Sequence, residues 1–279
     1  MATVRTGQLE QAGREARPWV QRGARLGALS RGVIYLVLGG LALQAAFGSR
    51  GEPPGPGGVF DVIVRQPLGR PLLGLLATGL AGYALWDFAR AVLDPYRPSR
   101  GAAHILQRVG WGMGGVISMA LAVTALQSAV NVGHVAGDDQ QARGWTAAIL
   151  AAPLGSWIIA VTGIIIIAVG AVFLWQAWRA DLDADLGSTP LAPRTRQWIL
   201  HFGRFGMVAR GIVLTLIGIF LLVAVVDANP EEARGVAGAL AVLRQQPYGR
   251  WVLGAIAAGF MSYGLYELLR ARYSRFTLV

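Results

Sequence analysis

The chain has 279 residues, 54% of them hydrophobic and 14% charged, against about a quarter charged in an average soluble domain. It contains no cysteine and no lysine, which excludes disulfides, thiolate catalysis, Cys-bound metals and lysine Schiff bases. The net charge of +10 would suggest nucleic acid in a soluble chain, but here membrane topology accounts for it and no nucleic-acid partner is expected.

Residues 1–25 are polar and arginine-rich, without the short apolar core of a secretory leader. They are expected to form a cytoplasmic N-terminal segment. Six apolar runs follow, at about 26–47, 69–93, 107–131, 151–178, 205–226 and 249–269. A bilayer core needs about 20 apolar residues per helix, so each run is long enough to span. Between the first two lie a Gly/Pro connector, "GEPPGPGG" (51–58), and the amphipathic stretch "GVFDVIVRQPLGR" (58–70). "VAGALAVLRQQPYGR" (236–250) is its counterpart before the last run. Both read as short helices in the outer interface. Asp138, Asp139 and Arg143 read as a solvated loop before the fourth run.

Self-similarity divides the chain. "ARLGALSRGVIYLVLGGLAL" (24–43) matches "GRFGMVARGIVLTLIGIFLL" (203–222), and "RQPLGR" (65–70) matches "QQPYGR" (245–250). A more divergent middle copy reads "QRVGWGMGGVISMALAVTALQ" (107–127), "APLGSW" (152–157) and "LWQAWRADLD" (174–183). The last piece aligns with "LWDFARAVLD" (85–94). The expected fold is all-α integral membrane: six transmembrane helices as three parallel helical-hairpin repeats, 26–98, 99–186 and 187–279. Two spans per repeat make the copies parallel and suggest a pseudo-threefold bundle, with an open row of hairpins as the alternative. In its "RLG…RG(V/I)" and "QPxGR…GY.LW…R" runs the chain resembles the bacterial domain-of-unknown-function family numbered 1206. That resemblance implies a six-span protein of three units and no activity.

Six spans return both termini to one side. With the nearest helix ends that side holds 18 arginines and the other 7, while the acids divide 8 to 7. The positive-inside rule then predicts cytoplasmic termini in the bacterial inner membrane, with basic clusters suited to anionic lipid headgroups.

"GYALWDFAR" (82–90) and "SYGLYELLR" (262–270) each carry an acid three residues before an arginine, at the end of an apolar run. Arg31 aligns with Gly114 and Arg210, and Asp87 with Gln176 and Glu267. At 1.5 Å per residue, Arg31 lies about 7 Å and Asp87 about 9 Å inside their helix ends on the same side. Two intramembrane ion pairs are expected, Arg31–Asp87 and Arg210–Glu267, each clamping one hairpin. Arg90 and Arg270 share the acids at i+3.

Gly32 and Gly39, and Gly211 and Gly218, are spaced by seven residues. Small residues let membrane helices approach. The expectation is that helices one, three and five surround the axis, filling it with Gly32, Gly39, Gly115, Ala122, Gly211 and Gly218. No catalytic set emerges. His104 and His201 fall on the side opposite His134, and the calcium-like "DLDADL" (181–186) lacks the Gly and Glu that such a loop needs. The sequence predicts no metal, no cofactor and no enzyme. It points to a non-catalytic scaffold, accessory subunit or lipid-binding module with a possible membrane protein partner. A channel or transporter through the repeat interface is the alternative.

Overall fold

The computed structural model describes residues 2–48, 53, 55–93, 102–130, 138–179 and 193–273. His134, the 181–186 aspartate run and the boundaries at 98/99 and 186/187 lie outside the described residues. Among the described residues there are nine α-helices. Repeat one supplies α1 (Ala2–Phe47), α2 (Pro56–Val64) and α3 (Gly69–Leu93). Repeat two supplies α4 (Ala102–Val130), α5 (Asp138–Leu150) and α6 (Gly155–Arg179). Repeat three supplies α7 (Pro193–Val226), α8 (Val236–Gln245) and α9 (Gly249–Tyr273). The long helices α1, α3, α4, α6, α7 and α9 are apolar and long enough to cross a membrane. The polar N-terminal segment does not stand apart: its backbone is helical from Ala2 and runs directly into the first span.

A shared turn starts every second helix. Leu68, Leu154 and Tyr248 hold positive φ angles of 65°, 67° and 62°. Each is followed by a glycine, Gly69, Gly155 or Gly249, at which any Cβ would strike the carbonyl of Ile63, Ile149 or Arg244. From these glycines α3, α6 and α9 each run 25 residues. This sets the repeat register without gaps. Asp87, Phe173 and Glu267 each stand eighteen residues beyond their glycine. The counterpart of the two acids in the middle repeat is therefore Phe173. Gln176, which the Leu–Trp similarity selects, is the counterpart of Arg90 and Arg270.

The helices form a ring in chain order. Each first helix packs extensively on the second helix of the preceding repeat: α4 on α3, α7 on α6, and α1 on α9 to close the ring. The heptad glycines lie at these crossings. A Cβ at Gly32 would meet Leu268 and the Gly264 carbonyl; at Gly115, the Phe88 ring; at Gly211, Leu174 and the Gly170 carbonyl. Phe88, Leu174 and Leu268 share one repeat position. The expectation that helices one, three and five surround the axis is thus wrong. First and second helices alternate around the ring, and the glycines serve close approach between repeats.

Within repeats the picture is uneven. The two helices of repeats one and three touch along their length, whereas α4 and α6 barely meet. Half or more of the span residues are buried in α1, α3 and α9, but only 22% in α4 and in α6. The half of the ring away from the termini is filled by one apolar cluster, including Leu38, Phe60, Leu80, Leu253 and Phe260. On that face Asp138, Asp139 and Arg143 belong to α5 and not to a solvated loop. Asp139 accepts hydrogen bonds from the backbone N–H groups of Gly235 and Gly238 (2.8 and 3.0 Å), capping α8. Arg143 pairs with Glu231 at 2.8 Å.

Candidate functional site

The terminal-side half of the ring holds charge. Arg31, Asp87, Arg90, Arg210, Glu267 and Arg270 are all at most 8% exposed. An isolated charge at the bilayer centre costs about 2.5–3.5 kcal/mol on insertion scales. The six residues come from α1, α3, α7 and α9, and the packing of those helices brings them into one cluster.

Arg31 Nη1 lies 3.8 Å from Asp87 Oδ2, and its guanidinium stacks over the Tyr83 ring at 4.3 Å. Arg31 is also within electrostatic reach of Glu267 and Tyr263, across the α1–α9 contact. Arg210 and Glu267 do not pair directly. The Tyr263 hydroxyl accepts from Arg210 Nη1 and donates to Glu267 Oε1, both at 2.7 Å. Arg270 reaches Glu267 at 3.7 Å and donates to the Tyr83 hydroxyl at 3.2 Å. The two clamps read from the sequence are therefore one network. It crosses between repeats, and tyrosines carry two of its links.

Those tyrosines, Tyr83 and Tyr263, occupy one repeat position, as do Arg31 and Arg210. Neither tyrosine was among the site residues expected from the sequence. Their spacing four residues before each acid was the available signal, because i and i+4 share a helix face. Arg210 is further enclosed by the rings of Phe173 (4.7 Å) and Tyr35 (5.5 Å). Phe173 holds the acid position of the middle repeat, so a ring face meets Arg210 where Glu267 meets Arg31. Arg90 stacks over Trp111 at 4.4 Å.

The middle repeat has Gly114, Val169, Phe173 and Gln176 at the four network positions. It is neutral throughout, and it is the repeat whose two helices stand apart. Among the described residues no group of three His, Asp or Glu side chains converges as metal ligands would.

Three tandem hairpins, a ring closed between the first and last helices and a buried arginine–carboxylate–tyrosine network define a multi-pass, internally repeated membrane protein. The family described as Domain of Unknown Function (DUF1206) matches the chain three times, at residues 26–94, 109–180 and 205–274. The chain belongs to that family. It is 30% identical over 274 residues to the uncharacterized protein YxxB of Bacillus subtilis (strain 168), covering 98% of each chain. No solved structure matches it.

Proposed function

We propose that the protein is a non-catalytic membrane scaffold or accessory module that binds lipid, with its termini in the cytoplasm of a bacterial cell and its spans in the inner membrane. One observation carries the reading: the buried charges are engaged with one another and with tyrosines, as cross-links between helices. Arginines and carboxylates in this arrangement hold α1, α3, α7 and α9 together, and the apolar cluster beyond them fills the path a solute would take. The terminal face carries the arginine excess, which suits anionic headgroups of the cytoplasmic leaflet. A membrane protein partner fits the exposed flanks of α4 and α6.

The rival reading is transport, favoured by the Arg210–Tyr263–Glu267 relay, since intramembrane ionisable groups often mark proton or ion paths. Liposomes containing the purified protein separate the two. Ion and proton flux equal to that of protein-free liposomes is expected. Flux abolished by Glu267→Gln would establish the transporter. Topology reporters at the C-terminal end report cytoplasmic placement, and an external signal overturns it.

A further inference from the structure

The turn that opens every second helix carries a side chain for which the fold has little use. Leu68, Leu154 and Tyr248 hold positive φ angles, a conformation that glycine takes freely and a bulky residue takes under strain. Each repeat nevertheless places a large apolar or aromatic residue there. Packing does not call for it: Leu68 is 80% exposed, Leu154 73% and Tyr248 82%. The short helices beside the turns do not reach outwards either. Helix α2 buries Val59, Phe60 and Ile63, and α8 buries Ala239 and Leu240, all in the apolar cluster of the bundle. Their apolar faces are spent on the core, so the interfacial contact expected of them from the sequence is left to the turns.

Helix α6 supplies a ruler for the bilayer. Trp157, Val161, Ile164 and Trp175 share one face of α6 and are all exposed. Trp157 and Trp175 are eighteen residues apart, about 27 Å along the axis, against about 30 Å of hydrocarbon in a bilayer. Tryptophans at both ends of an apolar stripe mark the two membrane interfaces. Arg179, stacked over Trp175 at 4.6 Å, belongs to the one on the terminal side. On this ruler Leu154 stands three residues outside Trp157, about 4–5 Å beyond the hydrocarbon edge. That is within the headgroup layer, since the whole bilayer measures about 40–45 Å. The repeat register gives Leu68 and Tyr248 the same position in their hairpins, with Trp251 as the counterpart of Trp157.

We propose that Leu68, Leu154 and Tyr248 are lipid anchors, entering the phospholipid headgroup layer of the leaflet away from the termini. Leucine gains by leaving water for the acyl boundary, and a tyrosine there keeps its hydroxyl among the headgroups while its ring leaves water. Lipid thus supplies the burial that the protein withholds, which offsets the strain at the three turns. Arg70 and Arg250, both exposed two residues further on, suit the phosphodiester beside the anchor. In the middle repeat Ser156 holds that place. The anchors require only that the chain spans a bilayer, and they serve a scaffold and a transporter alike.

The chain has no cysteine, so one introduced cysteine is a unique labelling site. Leu68→Cys, Leu154→Cys and Tyr248→Cys, each in the full-length protein, take a nitroxide label and are reconstituted into vesicles of equal parts phosphatidylcholine and phosphatidylglycerol. All three side chains are exposed, so the labels displace no packing. Ile164→Cys, on the exposed stripe of α6, reports that the bundle has inserted. Power-saturation EPR compares collisions with lipid-soluble oxygen and with a water-soluble nickel chelate. The three turns are expected at the level of the lipid phosphates or up to about 5–10 Å below it, with the Ile164 label deeper than all of them. A label at any of the three turns that meets the chelate as freely as one in bulk water overturns the proposal and leaves that turn to a partner in solution. An Ile164 label no deeper than the turns overturns it as well, because the ruler then fails.

Discussion

Glu267 should be the network's most sensitive position, and Glu267→Leu against Asp87→Leu tests why. Glu267 is 0% exposed. It accepts from Tyr263 at 2.7 Å, lies 3.7 Å from Arg270 and, through Tyr263, anchors Arg210. Its loss leaves Arg31, Arg210 and Arg270 with Asp87 as the remaining buried carboxylate among the described residues. Removing one partner of a buried pair costs about 3–5 kcal/mol, and an unpaired intramembrane arginine about 2.5–3.5 kcal/mol on insertion scales. The two figures overlap near 3 kcal/mol. Asp87 meets Arg31 at the longer distance of 3.8 Å, with Arg90 and Arg270 also within electrostatic reach, so the two acids differ by the short bond to Tyr263. The difference is the worth of the Tyr263–Glu267 bond, about 1.5–3 kcal/mol for a charged acceptor. At about 2–4 °C per kcal/mol for domains of 150–250 residues, Glu267→Leu should melt roughly 3–12 °C below Asp87→Leu. Glu267→Gln, which keeps an acceptor for Tyr263, should fall between Glu267→Leu and the wild type. Scanning fluorimetry of the purified variants in one detergent measures all three. If Asp87→Leu loses as much as Glu267→Leu, or if Glu267→Leu melts with the wild type, the network is not organised around Glu267.

Two neighbouring glycines in α1 should respond oppositely. A Cβ at Gly39 would lie 2.7 Å from the Ala257 carbonyl and 2.6 Å from Met261 Cγ, so Gly39→Ala should cost about 1–3 kcal/mol through overpacking. At Gly40 nothing lies within 4 Å, and Gly40→Ala should be neutral or gain about 0.5–1 kcal/mol from helix propensity; the same melting assay reads both. On the opposite face, Asp139→Ala should cost about 1 kcal/mol by uncapping α8 and should speed amide hydrogen exchange at Gly238, and unchanged exchange there would mean the cap contributes nothing.

How far the site was legible follows from the range of each interaction. Arg31, Asp87, Arg210 and Glu267 announce themselves because a charge inside an apolar run needs a reason that holds within one chain. Tyr83 and Tyr263 do not, since a tyrosine four residues before an acid is equally at home in an interfacial belt. Only the crossing of α7 and α9 shows that the hydroxyl bridges Arg210 to Glu267. The middle repeat was misread for a related reason. A Leu–Trp pair recurs three residues out of register, and local similarity aligned Gln176 with the acids. The backbone places Phe173 there, because the positive-φ turn before Gly155 starts the helix at the same point as in the other repeats.

Six spans, three repeats and a helical fold are determined by the sequence alone, because each rests on length and apolar content along a single helix. The interior of a bilayer leaves the backbone little choice but to bond within each segment. Which helices touch is another matter. Glycines seven residues apart mark a face for close packing but do not name the helix that meets it. Only the tertiary structure decides that Gly32 faces α9 and Gly211 faces α6, joining each repeat to the one before it. It also decides that the ring closes between α1 and α9. In the middle repeat, where Gly114 and Phe173 leave no charges to clamp the hairpin, α4 and α6 stand apart. Those outcomes depend on contacts between separate helices, from Gly211 with Gly170 to Gly32 with Gly264 more than two hundred positions away, and no pattern within one helix encodes them.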